Sequence, residues 1–103
     1  MVIWTAGAKK DLRSIHQYIA EDSPINAKNV TKAILSKAEP LANLPKRGKI
    51  VPEISRKDVR EIGVHTWRLI YHIRQQNVYI VTLVHKRQQL SPEHVPLKPT
   101  DFH

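Results

Sequence analysis

Residues 60–90 read REIGVHTWRLIYHIRQQNVYIVTLVHKRQQL, two apolar runs flanking the polar Arg74-Gln75-Gln76-Asn77. Each run is rich in β-branched and aromatic residues, and the separator has the composition of a short hairpin loop, so the stretch predicts an antiparallel β-hairpin. Alternation along the first strand sends Trp67, Leu69, Tyr71 and Ile73 to one face and Arg68, Ile70, His72 and Arg74 to the other. The second strand, residues 78–85, is apolar on both sides for most of its length, which predicts a central strand covered on each face or a strand paired to the end of the sheet. It ends abruptly in His85-Lys86-Arg87. A strand that ends in a titratable ring and two cations delivers them to a fixed place, and function is sought there first.

Working outward, the preceding residues 60–64 read as another strand, and the basic turn Pro45-Lys46-Arg47-Gly48-Lys49 leads into a strand over Ile50-Val51-Pro52-Glu53. Pro52 confines that strand to an edge or an end, because it has no N–H for a ladder. Upstream, Ala27, Val30, Ile34, Ala38 and Leu41 form one helical stripe, started by Ser23 as N-cap with Pro24 at the first helical position and ended near Ala38 by Pro40. Ala8, Leu12, Ile15 and Ile19 form an earlier stripe capped by Thr5, and Val2-Ile3-Trp4 is a short strand before it. The link between the helices is so short that they must lie antiparallel. The expected architecture is α+β in the order β-α-α-β-β-β-β, an antiparallel sheet covered on one face by the N-terminal helical hairpin. Residues 1–90 read as a single domain, and residues 91–103, with Pro92, Pro96 and Pro99, as a Pro-rich C-terminal tail.

Composition bounds the partners. The 103 residues carry 17 Lys plus Arg against 9 Asp plus Glu, a net charge of +8, which favours an acidic partner such as nucleic acid or an acidic protein segment. No run approaches the ~18 apolar residues of a membrane span, and no basic-then-apolar signal layout opens the chain, so a cytoplasmic location is expected. With no cysteine, disulfides, zinc knuckles and thiol catalysis are excluded. His16, His72, His94 and His103 show no metal-ligand spacing, and no Gly-rich phosphate loop exists, so neither metal nor cofactor is expected.

Trp4-Thr5, Ala8, Asp11-Leu12, Ile15, Tyr18-Ile19, Ser23-Pro24, Ala27, Leu44-Pro45, Gly48, Pro52-Glu53, Arg60-Glu61, Trp67-Arg68-Leu69-Ile70-Tyr71 and His85 form an ordered series. That series resembles the RelE/ParE superfamily of toxins from toxin–antitoxin modules, and most closely its ParE-like, plasmid-stabilisation branch. The resemblance implies a compact α+β toxin neutralised by a cognate acidic antitoxin in a hetero-oligomer. It leaves two targets. ParE-like members poison DNA gyrase without an obvious catalytic centre and so block replication, whereas RelE-like members cut mRNA on the ribosome.

Under the RNase alternative, Glu53, Arg68 and His85 fall on positions matching an acid–base set, since attack by a 2′-hydroxyl needs a base, an acid and a cation for the phosphorane. Lys86 follows His85 where some RNase members carry a terminal Tyr, and the paired lysines of other members are missing near Glu53. Under the gyrase reading, Arg60, Arg68, Lys86 and Arg87 form a cationic rim that meets gyrase or its DNA. A third possibility is a non-toxic antitoxin- or nucleic-acid-binding module. Plainer roles stand beside these: Glu53 as the partner of a nearby Arg, Arg68 ion-paired to a carboxylate such as Glu61, His85 as a hydrogen-bonded strand end, Trp67 and Tyr71 as core, and Lys46-Arg47-Gly48-Lys49 as a solvated turn.

Overall fold

The computed structural model describes residues 1–91 and 95. Strand β1 (Val2–Trp4) leads into helices α1 (Ala6–Ala20) and α2 (Pro24–Ala38), followed by β2 (Lys49–Ile50), β3 (Val59–Val64), β4 (Trp67–Arg74) and β5 (Asn77–His85). The expected caps form. Thr5 Oγ1 accepts from the Ala8 N–H at 3.2 Å and Ser23 Oγ from the Asn26 N–H at 3.1 Å, each meeting a donor that the first helical turn leaves unpaired. Thr5 also donates its hydroxyl to the Ile80 carbonyl at 2.9 Å, which fastens the start of α1 to β5. Pro40 ends α2 at Ala38, and the chain continues as a 3-10 turn over Glu39–Ala42 that buries Leu41.

The five strands form one sheet in the order β1-β5-β4-β3-β2. It is antiparallel throughout except at one margin, where β1 runs parallel to β5 with Val2, Ile3 and Trp4 opposite Val78, Tyr79 and Ile80. The sheet is therefore mixed rather than wholly antiparallel. The two-helix connection carries the chain away from β1, and the strand that finally lies beside it is the last in sequence, so its direction depends on the whole intervening path. Pairing uses alternate residues of β1: the Met1 carbonyl accepts from the Val78 N–H and the Thr5 N–H donates to the Ile80 carbonyl. The N–H and C=O groups of Val2 and Trp4 then point to the open edge.

β2 is shorter than the sequence suggests. Only Lys49 and Ile50 pair with β3, and after Val51, whose N–H still reaches the Val59 carbonyl at 3.2 Å, the chain turns. Pro52 offers no donor to continue the ladder, and the N–H groups of Ile54 and Ser55 fold back onto the Val51 carbonyl. Glu53 thus sits on a turn rather than a strand. The β4–β5 hairpin closes through Gln75 and Gln76 alone, both left-handed at φ 53° and 78°, the conformation that matches the twist of the paired strands.

β5 is a central strand buried on both faces. On the helical side, Leu69, Tyr71, Val78, Ile80 and Leu83 pack with Ala8, Ile15, Ile34 and Leu41. On the other side, Ile70, Val81 and Val84 pack with Val51, Val59, Leu90 and Val95. Leu90 and Val95 are only 9% and 5% exposed, because the far face of the sheet is apolar and the chain after Arg87 covers it. Pro92, Pro96 and Pro99 lie outside the described residues. Among the described residues, no helix is long and apolar enough to cross a membrane.

One irregularity sets the positions that follow. Ile70 faces Thr82 but Tyr71 faces Ile80, so Val81 is an extra residue on β5, a β-bulge. Asp11 of α1 reaches it: one carboxylate oxygen accepts from Thr82 Oγ1 at 2.8 Å and from the Leu83 N–H at 3.2 Å. Beyond the bulge the side chains exchange faces relative to an uninterrupted strand. Leu83 and His85 therefore join the helical side, and Val84 the far side.

Candidate functional site

On the far side of the sheet, the β3–β4 register places Glu61 opposite Ile70 and Gly63 opposite Arg68, so Glu61, Gly63 and Arg68 share a face. The turn after β2 lays Glu53 over them. The Arg68 guanidinium grips Glu53 in a bidentate pair, Nη1–Oε2 and Nη2–Oε1 both 2.8 Å, while Nε donates to Glu61 Oε2 at 2.6 Å. Nη2 also pairs with Glu61 Oε2, Nη1 donates to the Gln88 carbonyl at 3.1 Å, and Glu53 Oε2 also accepts from the Leu90 N–H at 2.9 Å. The side chains of Arg68, Glu53 and Glu61 are only 11%, 15% and 7% exposed. The hydrogen bonds from Arg68 hold the Glu53 carboxyl at about 2, against the opposing pull of burial, and the same bonds raise the guanidinium above its ordinary value.

This cluster floors a cleft of about 590 Å³, around which Arg47, Lys49 and Lys86 are also arranged. Lys49 Nζ stands 3.4 Å from Glu61 Oε1, with its side chain 75% exposed. Lys86 lies across β3 at Gly63, where an added Cβ would stand 3.2 Å from the lysine Cε, a contact that a small shift of the flexible side chain relieves. Arg47 and Lys49 are held by a buried latch. The Tyr71 hydroxyl donates to the Pro45 carbonyl at 2.6 Å and accepts from the Gly48 N–H at 2.9 Å. Gly48 is obligatory there, because a Cβ would fall 2.5 Å from the Glu61 carbonyl and 2.6 Å from the Tyr71 hydroxyl. The cations of this turn read in sequence as a solvated run; Tyr71, 22 positions beyond Lys49, brings two of them to the cleft.

The other residues singled out from the sequence are dispersed. Arg60 is turned to the basic turn and the loop before β3, donating to the carbonyls of Gly48 at 2.9 Å, Lys57 at 3.0 Å and Lys46 at 3.4 Å. Lys86 and Arg87 are exposed. His85 lies on the helical side, opposite Trp67, with the two rings edge to face at 5.4 Å and 80°. Its Nδ1 accepts the Arg87 N–H at 3.1 Å. The structure thus joins Glu53 to Arg68, adds Glu61 and Lys49, and places His85 across the sheet from them. Among the described residues, no group of three His, Asp or Glu could hold a metal ion.

A general base with a pKa of about 2 takes a hydroxyl proton poorly near neutral pH, and a guanidinium already committed to two carboxylates has little left for a phosphorane. The arrangement suits binding: a rigid ionic floor with exposed ammonium and guanidinium groups at its rim.

Residues 2–90 match the family described as the ParE toxin of the type II toxin-antitoxin system parDE. A curated relative, Toxin RelE2 of Caulobacter vibrioides, is 31% identical over 84 residues, which is 82% of this chain and 92% of that protein. A solved chain from the chromosomal ParDE TA system of P. aeruginosa superposes with a TM-score of 0.68 at 20% identity, over 82% of this chain and 92% of that one, and so shares the fold. The chain belongs to the ParE toxin family, and is thereby a toxin of a type II toxin–antitoxin system, with a cognate antitoxin as its implied partner.

Proposed function

We propose that this toxin acts by binding rather than by acid–base chemistry, and that its target is DNA gyrase, whose inhibition blocks replication. The observation that carries the reading is the closed Arg68–Glu53–Glu61 cluster on one face of the sheet, with His85 on the other. An RNase site needs its base, acid and cation around one phosphate-sized space. Lys86, Arg87, Arg47 and Lys49 supply the cations that meet gyrase or its DNA, giving affinity through phosphate neutralisation rather than sequence choice.

The cognate antitoxin is acidic in this reading, steered by the +8 charge of the toxin. It adds an extended segment along the open edge of β1. Support comes from the outward N–H and C=O groups of Val2 and Trp4 and from the adjoining cleft of about 450 Å³, lined in part by Met1, Leu35, Ala38 and Ala42.

The alternative, ribosome-dependent mRNA cleavage, draws on the likeness to Toxin RelE2 and on the cations around the Arg68 cleft. One induction experiment separates the two: plasmid supercoiling, chromosomal breaks and mRNA integrity are followed in the same cells, with and without the co-expressed antitoxin. Double-strand breaks with intact mRNA, the breaks suppressed by the antitoxin, are the expected result. Early mRNA cuts abolished by Glu53→Ala and His85→Ala would replace gyrase with the ribosome. Growth unaffected at high expression would overturn the toxin mechanism altogether.

A further inference from the structure

The end of β5 opens onto a second concavity, on the helical side, that neither the Arg68 cluster nor the β1 edge uses. It measures about 580 Å³ and is lined by rings from separate elements: Tyr18 near the end of α1, His65 in the β3–β4 turn, Trp67 at the start of β4 and His85 at the end of β5. We propose that this concavity is a binding site for an unpaired nucleobase of a single-stranded nucleic acid. The proposal rests on the reading of a toxin whose target carries nucleic acid, and adds to it a base-binding site distinct from the phosphate contacts.

Four observations point there. Trp67 and His85 meet edge to face at 80°, so the ring presenting its edge has neither of its own faces covered by the other, and both rings, partly exposed, line the concavity. Tyr18 stands beside them 66% exposed, a large aromatic on an amphipathic helix that the core does not take in. Asn26, at the start of α2, brings an amide that both donates and accepts, the pairing capacity that a base edge requires. The Arg87 N–H occupies His85 Nδ1, which fixes the ring and leaves Nε2 to act as donor.

Charge selects among occupants. Among the described residues, none that lines this concavity is a carboxylate, a lysine or an arginine. An acidic peptide would find no cation inside it, whereas a base needs none. A cation for the neighbouring phosphate follows two residues after His85, in the exposed Arg87. A volume of this size also lies in the range of about 300–1,000 Å³ typical of small-ligand sites.

The test uses the purified full chain with short single-stranded oligonucleotides, in DNA and RNA versions, and abasic oligonucleotides of equal length and charge. With Trp4→Phe, Trp67 is the sole indole of the chain. Base-bearing oligonucleotides should quench its fluorescence and bind several-fold more tightly than the abasic ones, and preference for DNA or RNA then names the natural source. In the otherwise unaltered chain, Tyr18→Ala should weaken binding of a labelled oligonucleotide, read by anisotropy, roughly 5- to 100-fold, the range that loss of one stacking contact produces. Thermal unfolding should be unchanged by that substitution, since Tyr18 is exposed. Equal affinity for abasic and base-bearing oligonucleotides, or unaltered binding by Tyr18→Ala, would overturn the site. Neither gyrase nor ribosome is present in this assay, so a failure here leaves the target question to the induction experiment and is not confused with its outcome.

Discussion

Arg68 is where composition and environment diverge most. A cationic residue on an exposed-looking strand position is, in the structure, 11% exposed and shared between two carboxylates. Removing it costs more than removing a surface ion pair, because it leaves the largely buried Glu53 without its cation and Glu61 with only the exposed Lys49. Arg68→Ala should therefore destabilise the fold by roughly 3–5 kcal/mol, measured by chemical unfolding at neutral pH. The effect of pH follows with a definite sign. Glu53 has a folded-state pKa of about 2, below its ordinary 4.5, so its pairing stabilises the protein above pH 4.5, and that contribution is lost as pH falls towards 2. Asp58 has the same sign. Burial pushes its carboxyl up, but hydrogen bonds from Arg56 and His72 outweigh this and hold it below its ordinary value. Glu53→Gln should flatten the loss of stability between pH 4.5 and 2 without abolishing it, because Asp58 continues to contribute.

Among the elements, β5 matters most, and its bulge determines what the strand presents. Val81 is the extra residue, and Asp11 satisfies the Thr82 hydroxyl and the Leu83 N–H beside it. This carboxylate is the polar tie between the helical hairpin and the sheet at that point. Asp11→Ala should cost about 1–3 kcal/mol, the penalty of leaving a partly buried donor unpaired, and should lower the thermal midpoint by several degrees. The Trp67–His85 contact reports whether the register survives: its loss from the histidine ring resonances in Asp11→Ala would show that the bulge, and not the hairpin turn alone, decides the face on which His85 emerges.

Across the whole molecule, two cores share one sheet, and the second is closed by chain that follows the last strand. Leu90 and Val95 cover Val51, Val59, Ile70, Val81 and Val84, while the Leu90 N–H is anchored on Glu53 and the Gln88 carbonyl on Arg68. The Arg68 cluster therefore has a structural office as well as its place beneath the cleft. Leu90→Ala should destabilise the protein by roughly 2–5 kcal/mol, as a core truncation does, and ending the chain after Arg87 should cost more. Thermal unfolding of both variants checks this, and a chain ending at Arg87 that is as stable as the full one would show that the far face needs no cover.

The local elements were legible in the sequence because their determinants are local. Thr5 and Ser23 start helices by capping their own first turns, Pro40 ends α2 by what it does to the preceding turn, and two residues between β-branched runs make the hairpin. The order of elements and the presence of Tyr71 and Leu69 in the core followed from periodicity, whereas Arg68, read as a surface ion pair with a carboxylate such as Glu61 or as a target contact, is paired to Glu61 in a largely buried cluster. Periodicity also fails at a definite point. A period of two is interrupted by a single inserted residue, and nothing in Ile80-Val81-Thr82-Leu83 marks which residue is extra. Tertiary packing decides it, with Asp11 bonded to Thr82 and Leu83 and the neighbouring residues divided between the two cores, and with it the separation of His85 from Glu53 and Arg68. The parallel placement of β1, the latch from Tyr71 to the basic turn, and the burial of Leu90 and Val95 likewise depend on partners 20 or more residues away, which the three-dimensional path of the chain supplies.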